Sequence, residues 1–403
     1  MAKKTNVPEI RFAGFTDPWE QRKLGEFGSV AMCKRIYKEQ TSEQGDVPFF
    51  KIGTFGADPD AFISKELFED FKRTYPYPTP GTLLISAAGS IGRVVEYQGE
   101  KAYFQDSNIV WLEHDRRLND AFLKPLYSQI EWGLEGSTIK RLYNKDLLSA
   151  EVSIPDGREQ KEIGQFFAKL DSLITLHQRK YDKLCTVKKS MLDKMFPKPG
   201  ETEPEIRFEG FTDPWEQRKL GDVSKKVTTK NTDGALNETF TNSAERGIVS
   251  QLDYFDHDIT NEANVNGYYV VRPNDFVYNP RISTIAPCGP INRNRLNRAG
   301  VMSPLYTVFS IDDGVCKTYL EHYFKTSRWH DFMFLEGNSG ARSDRFSISD
   351  SLFFEMPIWC PSLTEQEAIA QQLELTDNLI TLHQRKLELL RNIKKSLLDR
   401  MFV

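Results

Sequence analysis

Residues 8–25 read PEIRFAGFTDPWEQRKLG, and residues 204–221 repeat this motif with a single change. The change places Ala13 in the first copy and Glu209 in the second. Self-similarity of this kind indicates an architecture built from repeated units.

A second repeated block lies further along each copy. Residues 171–180 read DSLITLHQRK, and residues 377–386 read DNLITLHQRK. The offset between the copies is 196 residues at the first block and 206 at the second, so the second copy holds ten extra residues between them. The chain is therefore a tandem duplication over roughly 8–196 and 204–402, joined by a segment rich in Pro and Gly that is typical of a linker.

The segments between the shared blocks do not match each other. Residues 26–150 and 222–355 share only a similar rhythm of short strands and turns. Near-identical frames around divergent inserts indicate one scaffold that carries two different variable modules. This pattern favours recognition of a two-part target.

The second block predicts a long helix of about 38 residues in each copy. Apolar positions alternate by four and three residues, which is the heptad pattern of a coiled coil. In the first copy they are Ile163, Phe167, Leu170, Ile174, His177, Tyr181, Leu184, Lys188, Met191 and Met195, and in the second Ile369, Leu373, Thr376, Ile380, His383, Leu387, Leu390, Lys394, Leu397 and Met401. We expect the two helices to pair antiparallel.

Thr364 and Glu367 have the spacing of a capping box at the start of the second helix.

Two features of these helices leave alternatives open. His177 and His383 lie near the helix midpoints, where antiparallel helices would bring them together. The pair would be either a polar layer that fixes the register of the helices or a pH sensor. A second apolar stripe packs either against the globular modules or against a partner protein. Its members are Leu173, Leu176, Val187 and Leu192, repeated as Leu379, Leu382, Ile393 and Leu398.

Composition narrows the class of protein. The 403 residues are 39% hydrophobic and 27% charged, which predicts a globular chain of two or three domains. No apolar run approaches the roughly 20 residues of a membrane-spanning helix, and no secretory signal is visible. Five scattered cysteines without a Cys-x-x-Cys pair indicate reduced thiols in a cytoplasmic protein. The net charge of −4 is lower than that of most self-sufficient nucleic-acid binders.

The order of motifs resembles one family. A Trp-x4-Leu-Gly frame, a globular insert, an Ile-Pro pair and a helix opening with Glu-Gln-x-x-Ile occur twice, although in the second copy the proline precedes the isoleucine. The matching residues are Trp19, Leu24, Gly25, Ile154, Pro155, Glu159, Gln160 and Ile163, then Trp215, Leu220, Gly221, Pro357, Ile358, Glu365, Gln366 and Ile369. Residues 83–92 also resemble the family's strand and turn before a recognition surface, with 274–279 as a looser counterpart. The chain resembles the specificity (S) subunit of type I restriction–modification systems.

That resemblance implies a fold and a set of partners. The fold would be α+β, with two target recognition domains, two long helices in an antiparallel coiled coil, and an internal pseudo-twofold repeat. Each domain would recognise one half of an asymmetric bipartite sequence in double-stranded DNA. Methyltransferase (M) and restriction/motor (R) subunits would dock on the chain. S-adenosylmethionine, ATP and Mg would bind those partner subunits, with no cofactor or metal on this chain.

The expected segments follow the repeat. Residues 1–155 would hold the first frame and recognition domain, 156–203 the central helix and linker, 204–360 the second recognition domain, and 361–403 the C-terminal helix.

Loops rich in Arg and Asn supply the candidate DNA contacts, because such side chains bind phosphates and base edges. Residues 276–310 contain four arginines and no acidic residue. A polar, basic loop also occurs near the end of each insert. The candidate DNA-binding residues are Arg93, Lys140, Arg141, Arg281, Arg293, Arg295, Arg298, Arg342 and Arg345, and the candidate residues for helix packing or partner binding are Leu173, Leu176, His177, Leu379, Leu382 and His383.

Catalytic motifs are fragmentary. Residues 155–161 contain the letters of a PD…ExK nuclease site, but two intervening residues at a helix start cannot place the carboxylates on neighbouring strands. Residues 279–282, NPRI, lack the second proline and the aromatic residue of an adenine methyltransferase motif. No phosphate-binding Gly-x4-Gly-Lys-Ser/Thr loop occurs. We expect a non-catalytic subunit; the alternative is a structural or inhibitory scaffold for methyltransferase subunits that does not contact DNA.

Overall fold

The computed structural model describes residues 6–132, 141–254, 262–339 and 344–403. The chain divides into two compact units. Unit 1 comprises Met1–Gln178 and Arg385–Val403, and unit 2 comprises Arg179–Gln384. Each boundary falls inside one of two long helices, so each unit holds the first half of one helix and the second half of the other.

The first repeat alternates short strands with helices. Its strands are β1 (Glu20–Lys23), β2 (Gly28–Ala31), β3 (Val47–Phe50), β4 (Phe62–Ile63), β5 (Leu83–Ser86), β6 (Val94–Glu96), β7 (Tyr103–Phe104), β8 (Ile109–His114) and β9 (Glu151–Ile154). Its helices are α1 (Lys65–Thr74), α2 (Asp120–Tyr127), α3 (Asn144–Ser149) and the long α4 (Gly157–Lys194).

The second repeat follows the same plan with more strands. They are β10 (Glu216–Lys219), β11 (Ser224–Lys226), β12 (Phe240–Ser243), β13 (Gly247–Ser250), β14 (Tyr269–Val271), β15 (Phe276–Tyr278), β16 (Ile291–Arg293), β17 (Gly300–Met302), β18 (Thr307–Ile311), β19 (Asn338–Ser339), β20 (Phe346–Ser347) and β21 (Pro357–Cys360). Its helices are α5 (Gln251–Tyr254), α6 (Lys317–Tyr323), α7 (His330–Glu336), α8 (Asp350–Phe354) and the long α9 (Leu363–Met401).

A two-stranded ladder closes each insert at its base. Strand β1 pairs antiparallel with β9, with Glu20 opposite Ile154, and β10 pairs with β21, with Glu216 opposite Cys360. The register makes Ile154 equivalent to Cys360, which agrees with the offset of 206 residues in the helical block. The predicted equivalence of Ile154-Pro155 with Pro357-Ile358 is therefore wrong, because Cys360-Pro361 occupies that place.

A buried ion pair joins the repeated motif to the start of each long helix. Arg11 donates two hydrogen bonds of 2.7 Å to the Glu159 carboxylate, and the Trp19 indole donates a third of 3.2 Å. Glu159 is fully buried, so the bidentate arginine supplies the charge compensation that burial requires.

The second repeat rebuilds this arrangement with its own residues. Arg207 donates to the Glu365 carboxylate at 2.7 and 2.8 Å, and Trp215 donates at 3.3 Å. The name "clasp" is used below for these two groups, Arg11–Glu159–Trp19 and Arg207–Glu365–Trp215.

The glutamine after each clasp glutamate holds a short helix of the insert. Gln160 accepts a hydrogen bond from the backbone N–H of Asn119, the residue that caps α2. Gln366 does the same for Cys316, which precedes α6. The Glu-Gln pair of the family resemblance thus fixes the insert to the helix.

Both inserts contain a four-stranded antiparallel sheet with the same order of strands. The order is β2-β8-β5-β6 in the first repeat and β11-β18-β15-β16 in the second. The segments predicted to be counterparts, 83–92 and 274–279, supply β5 and β15, which occupy equivalent places. Two sequences without detectable similarity therefore build one sheet topology.

The long helices run antiparallel within each unit. In unit 1, Lys394 of α9 forms an ion pair with Asp171 of α4 at 2.5 Å, and Arg391 donates to Gln178, about two turns further along α4. In unit 2, Lys188 forms an ion pair with Asp377 at 2.5 Å. The predicted heptad positions within α4 are all buried or half-buried. The predicted antiparallel coiled coil is confirmed within each unit.

The first turn of each long helix is capped differently from the prediction. The Asp156 carboxylate accepts from the N–H groups of Arg158 and Glu159, and the Ser362 hydroxyl accepts from the N–H of Glu365. Helix α9 begins at Leu363. The capping box predicted at Thr364 is wrong, because Thr364 already lies inside the first turn.

Candidate nucleic-acid interface

Two loops meet beside the sheet in each repeat. In the first repeat, the N–H of Leu142, just before α3, donates to Ala87 at the end of β5 (2.9 Å). In the second, the N–H of Phe346, upstream of α8, donates to Pro280 after β15 (2.7 Å). The loop that follows the equivalent sheet strand and the polar loop near the end of the insert are therefore brought together in both repeats.

In the first repeat these loops carry Arg93 and Arg141. The Arg93 guanidinium donates to the backbone carbonyl of Gly56 (3.0 Å), and the Arg141 guanidinium donates to that of Ser107 (2.7 Å). A guanidinium has five N–H donors, so each keeps donors for a ligand. Lys140 lies outside the described residues.

In the second repeat the same loops carry Arg281 and Arg345. Their backbones form an isolated antiparallel bridge, and the N–H of Ile282 donates to Asp344 (3.1 Å). Arg281 is exposed and Arg345 half-buried. Within the described residues, neither guanidinium forms an ion pair or a side-chain hydrogen bond. Arg342 lies outside those residues.

The other three arginines of the acid-free segment have carboxylate partners from elsewhere in unit 2. Arg293 forms an ion pair with Glu321 (2.7 Å), and Arg295 with Glu321 and Glu374 (both 2.9 Å). The set Arg293, Arg295 and Arg298, whose last member pairs with Glu238, is called the paired arginines below.

Arg298 donates two hydrogen bonds of 2.7 Å to the Glu238 carboxylate, and these bonds hold the pKa of Glu238 below its usual value. Ion pairs within the unit favour a structural role for the paired arginines. Their contact with DNA stays a prediction.

A polar cleft of about 630 Å³ opens beside Arg281. The name "cleft" refers below to this cavity, which lies between the β12–β13 turn and the β15–β16 connection, residues 279–290. Side chains with hydrogen-bonding groups predominate in its lining, among them Ser243, Glu245, Arg281, Ser283, Thr284 and Tyr306.

The buried Asn242 and the half-buried Asn279 hold the connection at the edge of the cleft. The Asn242 amide donates to the carbonyl of Val277 (2.7 Å) and to that of Pro290 (3.3 Å), the last residue of the connection. Asn279 donates to the Asn242 carbonyl (2.8 Å) and accepts from the N–H of Arg281 (3.0 Å). Sequence analysis missed Asn242, because an asparagine in an ordinary strand gives no local signal of this network.

The second apolar stripe is largely exposed. Leu173 and Leu176 in unit 1 are each 46% exposed, and Leu379 and Leu382 in unit 2 are 38% and 45% exposed. These exposures argue against burial of the four leucines in the cores of the globular modules. Leu192 and Leu398 do pack against the cores of their units.

The two helix histidines lie in different units. His177 of unit 1 and His383 of unit 2 are both half-buried. Their predicted contact stays a prediction.

The described residues offer neither a metal site nor a membrane-spanning helix. They contain no group of three or more His, Cys, Asp or Glu side chains that could hold a metal ion. Among the helices they form, none has the length and apolar character to cross a membrane.

Comparison with a protein-family model identifies the first repeat. Residues 16–185 match the model of the type I restriction modification DNA specificity domain. Over 152 residues the chain is 51% identical to a Haemophilus influenzae protein provisionally named as a type I restriction enzyme specificity subunit. That match spans 37% of this chain and 40% of the relative's length.

Comparison with solved structures addresses the fold. The S subunit of a type I restriction-modification system from M. genitalium superposes with a TM-score of 0.63 and 14% sequence identity, covering 98% of this chain and 99% of that one. The predicted α+β class is confirmed. The resemblance to type I specificity subunits is also confirmed, because residues 16–185 match the type I restriction modification DNA specificity domain.

Proposed function

We propose that this chain is the DNA sequence-recognition subunit of a type I restriction–modification complex. Each insert would recognise one half of an asymmetric bipartite target. The observation that carries the proposal is the repeated placement of arginines on two converging loops, Arg93 with Arg141 and Arg281 with Arg345. None of these four guanidinium groups has a carboxylate partner among the described residues.

The chemistry of these loops suits DNA. Arginine donors bind phosphate oxygens and the acceptors of guanine in the major groove. The two loop pairs are attached to the same sheet topology but differ in sequence and length, as two modules of different specificity require. A symmetric target would not need this difference.

The exposed leucines of the long helices support partner binding. Leu173, Leu176, Leu379 and Leu382 are 38–46% exposed and leave apolar surface that the described residues cover only in part. We propose that methyltransferase subunits cover it and that the restriction/motor subunits join through them. S-adenosylmethionine, ATP and Mg would bind those subunits, and this chain would be non-catalytic and cytoplasmic.

The same leucines favour a second candidate function. A scaffold that binds methyltransferase subunits without contacting DNA would need the helices and the clasps but no arginine loops. The two functions differ in whether the chain determines which sequence is methylated.

Mapping of N6-methyladenine separates them. Genomes would be compared from cells that express the methyltransferase subunits of the same system with and without this chain. We expect a chain-dependent motif of two unlike half-sites around a fixed gap. Methyltransferase subunits that bind the chain but show no chain-dependent motif would contradict the proposal and favour the scaffold.

A further inference from the structure

We propose that the cleft of unit 2 determines the specificity of the second module by binding the major-groove edge of a G·C base pair. Arg281 would bind guanine, and Glu245 would bind the paired cytosine. This inference rests on the proposed function and names the base pair that one of its modules recognises.

Arg281 is the arginine of its segment whose donors are available. The paired arginines form ion pairs with Glu321, Glu374 and Glu238, whereas Arg281 lines the cleft, is exposed and has no side-chain partner among the described residues. A guanidinium in this state can donate two parallel hydrogen bonds to O6 and N7 of guanine, which is the commonest specific contact between proteins and DNA.

Glu245 supplies the complementary acceptor. It lines the same cleft, is exposed, and forms no ion pair with any described residue. A carboxylate beside DNA is repelled by phosphates, so it weakens binding unless it accepts a hydrogen bond. The N4 amino group of cytosine is the base-edge donor that a carboxylate accepts from. One cleft wall therefore offers donors and the other an acceptor, which matches the two halves of a G·C pair.

Hydrogen bonds hold the backbone at both Glu245 and Arg281. Glu245 lies in the turn between β12 and β13, where the Ser243 hydroxyl accepts from the N–H groups of Glu245 and Arg246 (3.2 Å each). Gly247 completes this turn with a φ of +71°, which a residue with a side chain rarely adopts. The N–H of Arg281 is bonded to Asn279, which Asn242 holds in turn. Because the backbone at both positions is already held in place, binding of a base pair needs to order only the two side chains. The smaller loss of entropy favours base discrimination.

The test uses the complete complex of this chain with its methyltransferase subunits and maps the methylated motif in cells. Arg281→Gln is the decisive variant, because glutamine pairs with adenine where arginine pairs with guanine. We expect one guanine of a single half-site to change to adenine. With Arg281→Ala, discrimination at that position should fall about 10-fold or more, which corresponds to loss of one bidentate contact.

Glu245→Ala should relax the preference at the same base pair. Arg272→Ala is the matched control, since Arg272 is an exposed arginine of the same unit that does not line the cleft. Both altered positions are exposed, and retention of the methyltransferase subunits by each variant checks that it folds. If the variant at one of the two cleft positions, Arg281 or Glu245, fails to fold, the variant at the other still tests the inference.

The outcomes separate this inference from the proposed function. A wild-type motif that Arg281→Gln and Glu245→Ala leave unchanged would overturn the inference alone. Methylation that falls equally at all sites would show that Arg281 contacts phosphate, and would overturn it too. Absence of any chain-dependent motif with the wild-type chain would overturn the proposed function and this inference with it.

Discussion

The clasps and the loops beside the sheets diverged to different extents between the two repeats. Arg11, Glu159 and Trp19 have direct equivalents in Arg207, Glu365 and Trp215, with hydrogen bonds that agree within 0.1 Å. The connection after the equivalent strand, by contrast, runs over residues 87–93 in the first repeat and 279–290 in the second. The clasp is therefore nearly the same in both repeats, whereas the loop after the equivalent sheet strand differs in length.

The difference follows from what each region must satisfy. A fully buried carboxylate tolerates few surroundings, because an unpaired charge costs several kcal/mol. A loop on a sheet edge needs only a few backbone hydrogen bonds, such as those of Leu142 and Phe346, and leaves its exposed side chains unconstrained. The sequence is therefore nearly identical where charge is buried and variable where a ligand can bind.

Breaking a clasp should produce the largest effect. Arg11→Ala leaves Glu159 buried without its counter-ion and should lower the free energy of unfolding by about 3–5 kcal/mol. Urea unfolding measures the loss. The double variant Arg11→Met/Glu159→Gln removes both charges and should cost less than the single substitution. Equal costs would show that lost packing, not the unpaired charge, is responsible.

The corresponding variant, Arg207→Ala, sharpens the comparison. Because the second clasp has the same geometry, its loss should be equal within about 1 kcal/mol, which is the ordinary scatter of such context-dependent effects. A much smaller loss would mean that the near-identical sequences do not reflect equal energetic demands.

A histidine in the second repeat should make it more sensitive to acid. His322 lies in α6, whereas the equivalent α2 contains no histidine. Burial lowers the pKa of His322 from 6.5 to about 4. Below pH 6.5 the unfolded state takes up the proton before the folded state does, so stability falls as pH decreases towards 4. The loss should reach about 2 kcal/mol near pH 5.

The substitution His322→Leu isolates this contribution. Its urea midpoint should decrease less than that of the wild type when the pH is lowered from about 7 to about 5, since leucine takes up no proton. Parallel decreases in the two proteins would show that other groups govern the acid sensitivity.

Substitution of the two classes of arginine in the second repeat should affect the free energy of unfolding differently. Arg293 is 10% exposed in its side chain and pairs with Glu321, so Arg293→Ala should lower the free energy of unfolding by about 1.5 kcal/mol. Arg281→Ala should leave the free energy of unfolding unchanged, because the Arg281 side chain has no partner among the residues that the structure describes. Thermal unfolding of both variants checks the contrast. A destabilised Arg281→Ala would place that side chain in the structure of the loop instead.

The helix leucines should have the smallest effect on stability. Leu173→Ser and Leu379→Ser should each change the free energy of unfolding by less than about 0.5 kcal/mol, as expected for exposed positions. If partners cover this surface, the paired variant should nevertheless retain less methyltransferase subunit in a pull-down. Unchanged retention would contradict the proposed role of the stripe. The exposed, charged Lys189→Ser is a matched control on the same helix.

Much of the fold could be predicted from the sequence because it depends on periodicity. The heptad positions identified the buried face of α4, and the repeated blocks identified two units of the same plan. Local details were harder. Ser362 and Thr364 are two residues apart and both are good caps, so the spacing Thr364-x-x-Glu367 could not decide where the helix begins.

The candidate site was predicted only in part. The loops of Arg141 and Arg345 were recognised as equivalent from their similar positions in the inserts, but only the structure shows that they meet the loops of Arg93 and Arg281. The acid-free segment 276–310 is different, because its apparent excess of positive charge is balanced by Glu238, Glu321 and Glu374 from distant positions. A charge count along the chain cannot detect partners that come from elsewhere.

The sequence by itself determined the duplication and the two long helices with their heptad faces. Both follow from patterns between residues at fixed spacing, and spacing survives without coordinates. Only the tertiary structure decided which arginine side chains form ion pairs and which have no carboxylate partner among the described residues. It also decided that Cys360-Pro361 occupies the place in the second repeat that Ile154-Pro155 occupies in the first. These outcomes depend on residues far apart in the chain, which pair because folding brings complementary charges and strand edges together.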